Sequence, residues 1–263
     1  MGDERGRRLA AYLQRVREAE LAVVTRRLRN EGFLRPGLAL LEIGAGTGAQ
    51  ALELERLGFA VSAIDLPESE YAGARVRAVA DYDGRHIPFP DSHFDVVFSS
   101  NVMEHIPHAD EFQAEIRRVL KDDGLAIHVI PSASWRFWTN LTYYPHALSL
   151  LWNTRRARAV AERRRARSEG TARWKMILSA LFPPRHGERG NWFTEQWYFR
   201  RHHWSRLFGE GAWEIASAED SGIFYTGYCI LALRLPMPAR RALAPLLGAS
   251  TNVFVLRKKI RRE

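Results

Sequence analysis

Apolar residues between positions 7 and 31 recur at helical spacing, at Leu9, Leu13, Val16, Leu21, Val24 and Leu28, with Arg and Glu opposite them. That period predicts one long amphipathic helix. Pro36-Gly37 closes it, and residues 38–43 form a short apolar strand that enters a glycine-rich turn. The same reading predicts a helix over 49–57 and strands over 60–64, 76–80 and 94–99. It continues with a helix over 110–120, carrying Phe112, Ile116 and Val119 on one face, and a fifth strand over 125–130 closed by Pro131. Strands alternating with helices at this spacing predict a parallel sheet covered on both faces.

Beyond residue 131 the pattern changes. All eight tryptophans lie after residue 134, and residues 132–208 read as aromatic, arginine-rich helical segments broken at Pro183-Pro184. Strand character returns at 213–218, 224–233 and 251–256. The expected organisation is an N-terminal helix and α/β core over 1–131, a helical cap over 132–208, and C-terminal strands completing the sheet over 209–263.

Hydrophobic residues are 46% of the chain and charged residues 26%, the balance of a globular protein with a real core. One cysteine, Cys229, excludes an intramolecular disulfide and a cysteine-based metal cluster. The N-terminus lacks the apolar stretch of a secretory signal, and no run approaches the roughly 18–20 apolar residues that span a bilayer. A cytoplasmic protein, at most peripheral to the inner face of the membrane, is expected. The net charge is +9, and only Lys121, Lys175, Lys258 and Lys259 among the 39 basic residues are lysines. Such an arginine excess has two readings, the codon bias of a GC-rich genome or attraction to an anionic partner.

The first strand runs into Glu42-Ile43-Gly44-Ala45-Gly46-Thr47-Gly48-Ala49. Glycines between strand and helix let a ligand approach the backbone at a helix N-terminus. Gly44, Gly46 and Ala49 also satisfy the relaxed dinucleotide fingerprint, and Asp65, ending the second strand, could bind ribose hydroxyls in either case. Glu42 favours a cationic ligand, because a carboxylate facing a pyrophosphate is repulsive while one near an ammonium and a sulfonium is attractive.

Five segments in order then resemble class I S-adenosylmethionine (SAM)-dependent methyltransferases of the type 11, small-molecule branch. They are Leu41 to Gly48, Ala63-Ile64-Asp65, Asp83 to Asp91, Phe94 to Ile106, and Arg118 to Gly124. Asp122-Asp123-Gly124 departs from the family's frequent Pro-Gly-Gly on a turn remote from the cofactor. The resemblance implies a Rossmann-like α/β fold with a seven-stranded, mostly parallel sheet and an antiparallel final strand. It implies SAM as cofactor and S-adenosylhomocysteine as product. Gly44, Gly46 and Gly48 would lie under the methionine part, with Glu42 near its ammonium. Asp65 would take the ribose hydroxyls and Leu66 the adenine face. Asp83 would accept from the adenine amino group with Gly84 beside it, although Asp-Gly is also an ordinary turn dipeptide. Ser99 and Asn101 would border the methyl group.

Methyl transfer from a sulfonium is an in-line displacement, so the protein must align the acceptor and remove any proton. No metal is expected. His105, beside Glu104 after the fourth strand, and His186, in a glycine-flanked loop, are the candidate bases; each could instead be structural. An oxygen acceptor is favoured over nitrogen or carbon. The aromatic stretch from Trp135 to Trp152 and the basic run from Arg155 to Arg167 suit a hydrophobic small-molecule or lipid- or glycan-linked acceptor and a peripheral membrane contact through residues 135–167, with a solvated helix face as the plain alternative. RNA ranks lower, since base-reading modules are missing. A nicotinamide-dependent oxidoreductase and a non-catalytic protein of the same fold remain as alternatives.

Overall fold

A computed structural model describes residues 2–152, 182–228 and 235–259, with side chains described from 11 to 148 in the first stretch. The basic run 155–167, Trp174 and Cys229 lie outside the described residues.

Seven strands form one sheet: β1 Ala39–Ile43, β2 Ala60–Asp65, β3 Ala80–Asp81, β4 Phe94–Ser100, β5 Leu120–Pro131, β6 Trp213–Asp220 and β7 Thr251–Lys258. Their order is β3-β2-β1-β4-β5-β7-β6. β1 to β5 pair in parallel, and β7 runs antiparallel to both β5 and β6. This is the Rossmann-like, mostly parallel sheet with an antiparallel final strand that the resemblance implied. The chain leaves β1 toward β2 on one side and returns as β4 on the other, so a crevice opens where β1 and β4 end.

Strand alternation sorts the core into two layers. Leu41, Ile43, Val97 and Ala126 face one side, where α3 (Ala109–Val119) contributes Phe112 and Ile116, and α6 (Arg201–Glu210) contributes Trp204, Leu207 and Phe208. Leu40, Val96, Phe98, Leu125 and Ile127 face the other, where α1 (Gly2–Asn30) contributes Leu21, Val24 and Leu28. The short α2 (Ala49–Arg56) follows the glycine turn, α4 (Ala133–Trp152) follows β5, and α5 (Glu195–Tyr198) precedes α6.

Two strand expectations need correction. Residues 76–79 are not strand, and β3 is confined to Ala80–Asp81. Arg77 reaches Glu55 and the Val61 carbonyl, and Val76 N donates to the Thr47 carbonyl, so the segment crosses the edge of the sheet instead of extending it. In the tail, residues 224–228 form no strand. Tyr225 N donates to Ser250 Oγ and Gly227 N to Thr139 Oγ1, so side chains satisfy these donors in place of a ladder. A helix, α7 (Met237–Leu247), then leads into β7. Its N-terminal prolines, Pro236 and Pro238, are the sequence signal that the strand reading passed over.

Candidate active site

β1 delivers its last residues to the crevice. Gly44 N and Ala45 N both donate to the Ile64 carbonyl, which ties the glycine turn to the end of β2. Gly44, Gly46 and Gly48 all have positive φ, at 69°, 56° and 78°. At Gly44 the need is also steric, because a Cβ would sit 2.3 Å from Val102 Cγ2. The loop after β4 therefore rests directly on the turn.

Asp65 links the two turns: Oδ2 accepts from Gly46 N at 2.9 Å and Oδ1 from Leu66 N at 2.8 Å. Glu42 is buried beside them, and its Oε2 has no hydrogen-bond partner. Burial pushes its carboxyl up to about 8, with Asp65 adding to the rise and Arg77 opposing it. Half of this carboxyl is therefore protonated near pH 8, and a ligand ammonium would restore the charged form.

The expected adenine-side residues lie together. Leu66 is exposed and lies against Gly84, where a Cβ would come to 3.0 Å from Leu66 Cδ2. Asp83 folds onto its own loop: Oδ1 accepts from Arg85 N and His86 N, and Oδ2 lies 3.0 Å from His86 Nδ1. These bonds, led by the one from the His86 ring, pull its carboxyl down to about 2. Asp83 thus shapes a turn here while remaining open to solvent.

Ser99 is fully enclosed. Its hydroxyl shares a 2.8 Å hydrogen bond with His128 Nδ1, and His128 stacks on Phe208. Burial drives His128 down to about 3, so it is neutral at ordinary pH. Asn101, with φ of 56°, stands at the crevice; its N donates to the Val129 carbonyl and its Nδ2 to Ser100 Oγ.

The two histidines singled out in sequence meet in space. His105 lies on a 3-10 turn, Met103–His105, three residues beyond Val102, and its ring centroid is 4.8 Å from that of His186. Between them sits Glu104, whose side chain is 1% exposed and whose Oε1 is 3.7 Å from His105 Nε2 and 3.8 Å from His186 Nε2. Burial lowers the His105 imidazole below its ordinary value; the neighbouring His186 acts the same way and Glu104 opposes. Trp135 packs on the other side of His186, with ring centroids 4.6 Å apart.

The loop that carries His186 is fastened from beneath. His186 N and Gly187 N both donate to Glu195 Oε1 at 2.7 Å, and Glu188 N donates to the Glu104 carbonyl. Arg136 of α4 pairs with Glu195 and donates to the Pro184 carbonyl. From α1, Tyr12, Val16 and Ala19 pack with Trp135, Phe199 and Tyr225. Glu20 accepts from Tyr225 Oη and Thr251 Oγ1, which anchors that helix to the C-terminal residues and β7. Glu20, Arg136 and Glu195 carry no local sequence signal for these roles, because their partners are distant in the chain.

Comparison with known proteins bears on the fold and on residues 41–128. The family model described as a methyltransferase domain, Methyltransf_11, matches residues 41–128. Over these residues, about a third of its length, the chain is similar to a methyltransferase domain.

The matched region is similar to a ubiquinone biosynthesis O-methyltransferase of Paramagnetospirillum magneticum, 32% identical over 42% of this chain and 48% of that one. It is similar as well to a malonyl-(acyl-carrier protein) O-methyltransferase of Geobacter sulfurreducens, 40% identical over 33% and 36% of the two chains. The chain thus spans less than half the length of either relative. In fold it resembles a SAM-dependent methyltransferase from Mesorhizobium loti, with TM-score 0.51, 14% identity and coverage of 89% and 96%. The cyclase SpnF also shares the fold, with TM-score 0.50, 16% identity and coverage of 90% and 80%. A fold shared with a cyclase leaves function to be argued from the site.

Proposed function

We propose that this protein transfers the methyl group of SAM to an oxygen of a small, largely apolar acceptor, held between the end of β4 and the residues of α1, α4 and the 182–199 segment. The observation that carries the reading is Glu42, a buried carboxyl with an unpartnered oxygen beneath a three-glycine turn and beside Asp65. That environment suits the ammonium of SAM, which would hold the carboxyl in its ionised form. The acceptor's proton leaves at the Glu104, His105 and His186 cluster, which stands on the acceptor side of Val102 and the turn.

The small-molecule reading is supported by relatives whose names refer to ubiquinone biosynthesis and to malonyl-(acyl-carrier protein). An apolar or lipid-linked acceptor is supported by α4, where Phe137, Leu141, Tyr144 and Leu148 are exposed at the spacing of one helix face. Phe193 and Trp197 are exposed too, and Arg200 lies over the Trp197 ring at 4.3 Å. Aromatic and arginine side chains of this kind favour a membrane interface, and no helix among the described residues is long and apolar enough to cross a membrane. Sedimentation with vesicles containing phosphatidylglycerol, set against phosphatidylcholine alone, tests the peripheral contact through residues 135–167. Equal absence from both pellets overturns it.

The division into a core over 1–131, a cap over 132–208 and closing strands over 209–263 is part of the same proposal. Calorimetric titration with SAM, S-adenosylhomocysteine and NAD tests the whole reading, with Glu42→Gln and Asp65→Asn as variants. Micromolar binding of the first two, absent for NAD and weakened in both variants, is expected. Binding of NAD alone, or of none of the three, overturns it.

A further inference from the structure

We infer that Glu104, His105 and His186 bind one divalent ion of the first-row transition series on the acceptor side of the methyltransferase site. One ligand atom from each residue lies within 4.8 Å of the other two. Such ions sit about 2.0–2.2 Å from imidazole nitrogens and carboxylate oxygens, so inward side-chain shifts of an ångström or less close the ring.

The first argument is the state of Glu104. Both of its oxygens are buried and neither meets a hydrogen-bond donor. The two imidazoles, at 3.7 and 3.8 Å, are too far to serve as donors. Two enclosed oxygens without a donor are costly, and a dication held among the three side chains would partner them. Two imidazoles with one carboxylate suit zinc, manganese, iron or cobalt; magnesium and calcium prefer oxygen-only sites.

The second argument is how the ligands are held. Glu104 and His105 come on one short turn, and His186 comes from a loop far along the chain. Glu188 N donates to the Glu104 carbonyl, and at Gly187 a Cβ would lie 2.9 Å from that same oxygen, so the loop is in direct contact with the turn. Glu195 fixes the backbone at His186 and Gly187 and is itself paired with buried Arg136. Outer contacts of this kind orient the ligands of metal sites. His105 and His186 are 41% and 35% exposed, which leaves the ion's remaining positions toward the acceptor.

This inference rests on the methyl-transfer reading only for what the ion does. With the ion bound, the three side chains would act as its ligands and not as bases, and an acceptor hydroxyl on the ion would release its proton to water. The oxygen would then bond the methyl carbon as the sulfur–carbon bond breaks, giving a methyl ether and S-adenosylhomocysteine.

The test uses tag-free full-length protein stripped with chelator and titrated calorimetrically with zinc, manganese and magnesium chlorides. One zinc or manganese ion per chain is expected, with magnesium at least tenfold weaker. His105→Ala and His186→Ala should each weaken binding at least tenfold, with circular dichroism and S-adenosylhomocysteine binding unchanged. No saturable binding, or stoichiometric binding that neither variant alters, overturns the inference. S-adenosylhomocysteine titration of the stripped protein keeps the two proposals apart. Its binding without metal binding defeats the ion site alone, and metal binding without it defeats the methyl-transfer reading alone.

Discussion

Arg136 Nη2 lies 2.7 Å from Glu195 Oε2, with the two side chains 2% and 1% exposed. The pair joins α4 to the loop of His186, and Glu195 uses its other oxygen to accept from His186 N and Gly187 N. Burial pulls the Arg136 guanidinium below its ordinary value, and the charge of Glu195 counters that. Removing one partner leaves the other charge buried and alone. Glu195→Ala should therefore cost about 3–5 kcal/mol of unfolding free energy, read from urea denaturation. Glu195→Gln keeps an acceptor for the two loop donors and should cost clearly less than Glu195→Ala. Equal losses would mean that the loop contacts contribute little.

On the proposed reading, Glu42 should make stability and cofactor binding depend on pH in opposite senses. Its carboxyl is near 4.5 when unperturbed and about 8 in the folded chain. A raised carboxyl contributes stability that is fully present below 4.5 and lost as pH rises through 8. The ligand-free protein should thus lose thermal stability between pH 5 and pH 8.5, and Glu42→Gln should lose less. A cationic ligand needs the ionised form, so SAM affinity should rise toward pH 8 and fall above it, where the ligand's own ammonium loses its proton. Calorimetry across that range checks the slope, and an identical slope in Glu42→Gln would remove Glu42 from the cause.

How much of this was legible in the sequence follows from what each residue depends on. The glycine turn, the place of Asp65 at the end of β2, and strands β1, β2 and β4 depend on neighbours in sequence or on a period of two, and they fall where the sequence puts them; β5 begins at Leu120, ahead of the expected 125. β3 was misplaced because Arg77 anchors its segment to Glu55 and Val61 on α2 and β2, a contact that no local pattern encodes. Residues 224–228 are apolar enough for a strand, yet they pair with side chains of Thr139 and Ser250. His105 and His186 were singled out separately, but their meeting at Glu104 depends on the Arg136–Glu195 pair, which exists only in three dimensions.

Ser99 and His128 separate support from contact. The serine hydroxyl is the partner of His128 Nδ1, and both residues are fully buried. Ser99→Ala leaves a buried imidazole nitrogen without its partner, at a cost of about 1–3 kcal/mol. The folded imidazole sits near 3 against an ordinary 6.5, so the stability it confers is present above 6.5 and lost as pH falls toward 3. Denaturation at pH 7 and pH 5 should show His128→Gln less sensitive to acid than the parent. SAM affinity in Ser99→Ala should stay within a few-fold of the parent; a larger loss at unchanged stability would place the hydroxyl at the cofactor.

Gly44 gives the sharpest test of the turn. Its φ of 69° disfavours any side chain, and a Cβ there would be 2.3 Å from Val102 Cγ2. Gly46 has a similar φ of 56°, but a Cβ would meet only the Tyr71 ring at an ordinary 3.5 Å. Both alanine variants carry backbone strain of about 1–3 kcal/mol, and Gly44→Ala must also push the loop after β4 aside. That loop leads to His105, so the displacement reaches the acceptor side as well. Gly44→Ala should lose more stability than Gly46→Ala and weaken SAM binding at least tenfold. The double variant Gly44→Ala with Val102→Ala relieves the clash and should regain part of both losses. If the second substitution restores nothing, strain in the turn alone accounts for the effect and the contact with Val102 does not matter.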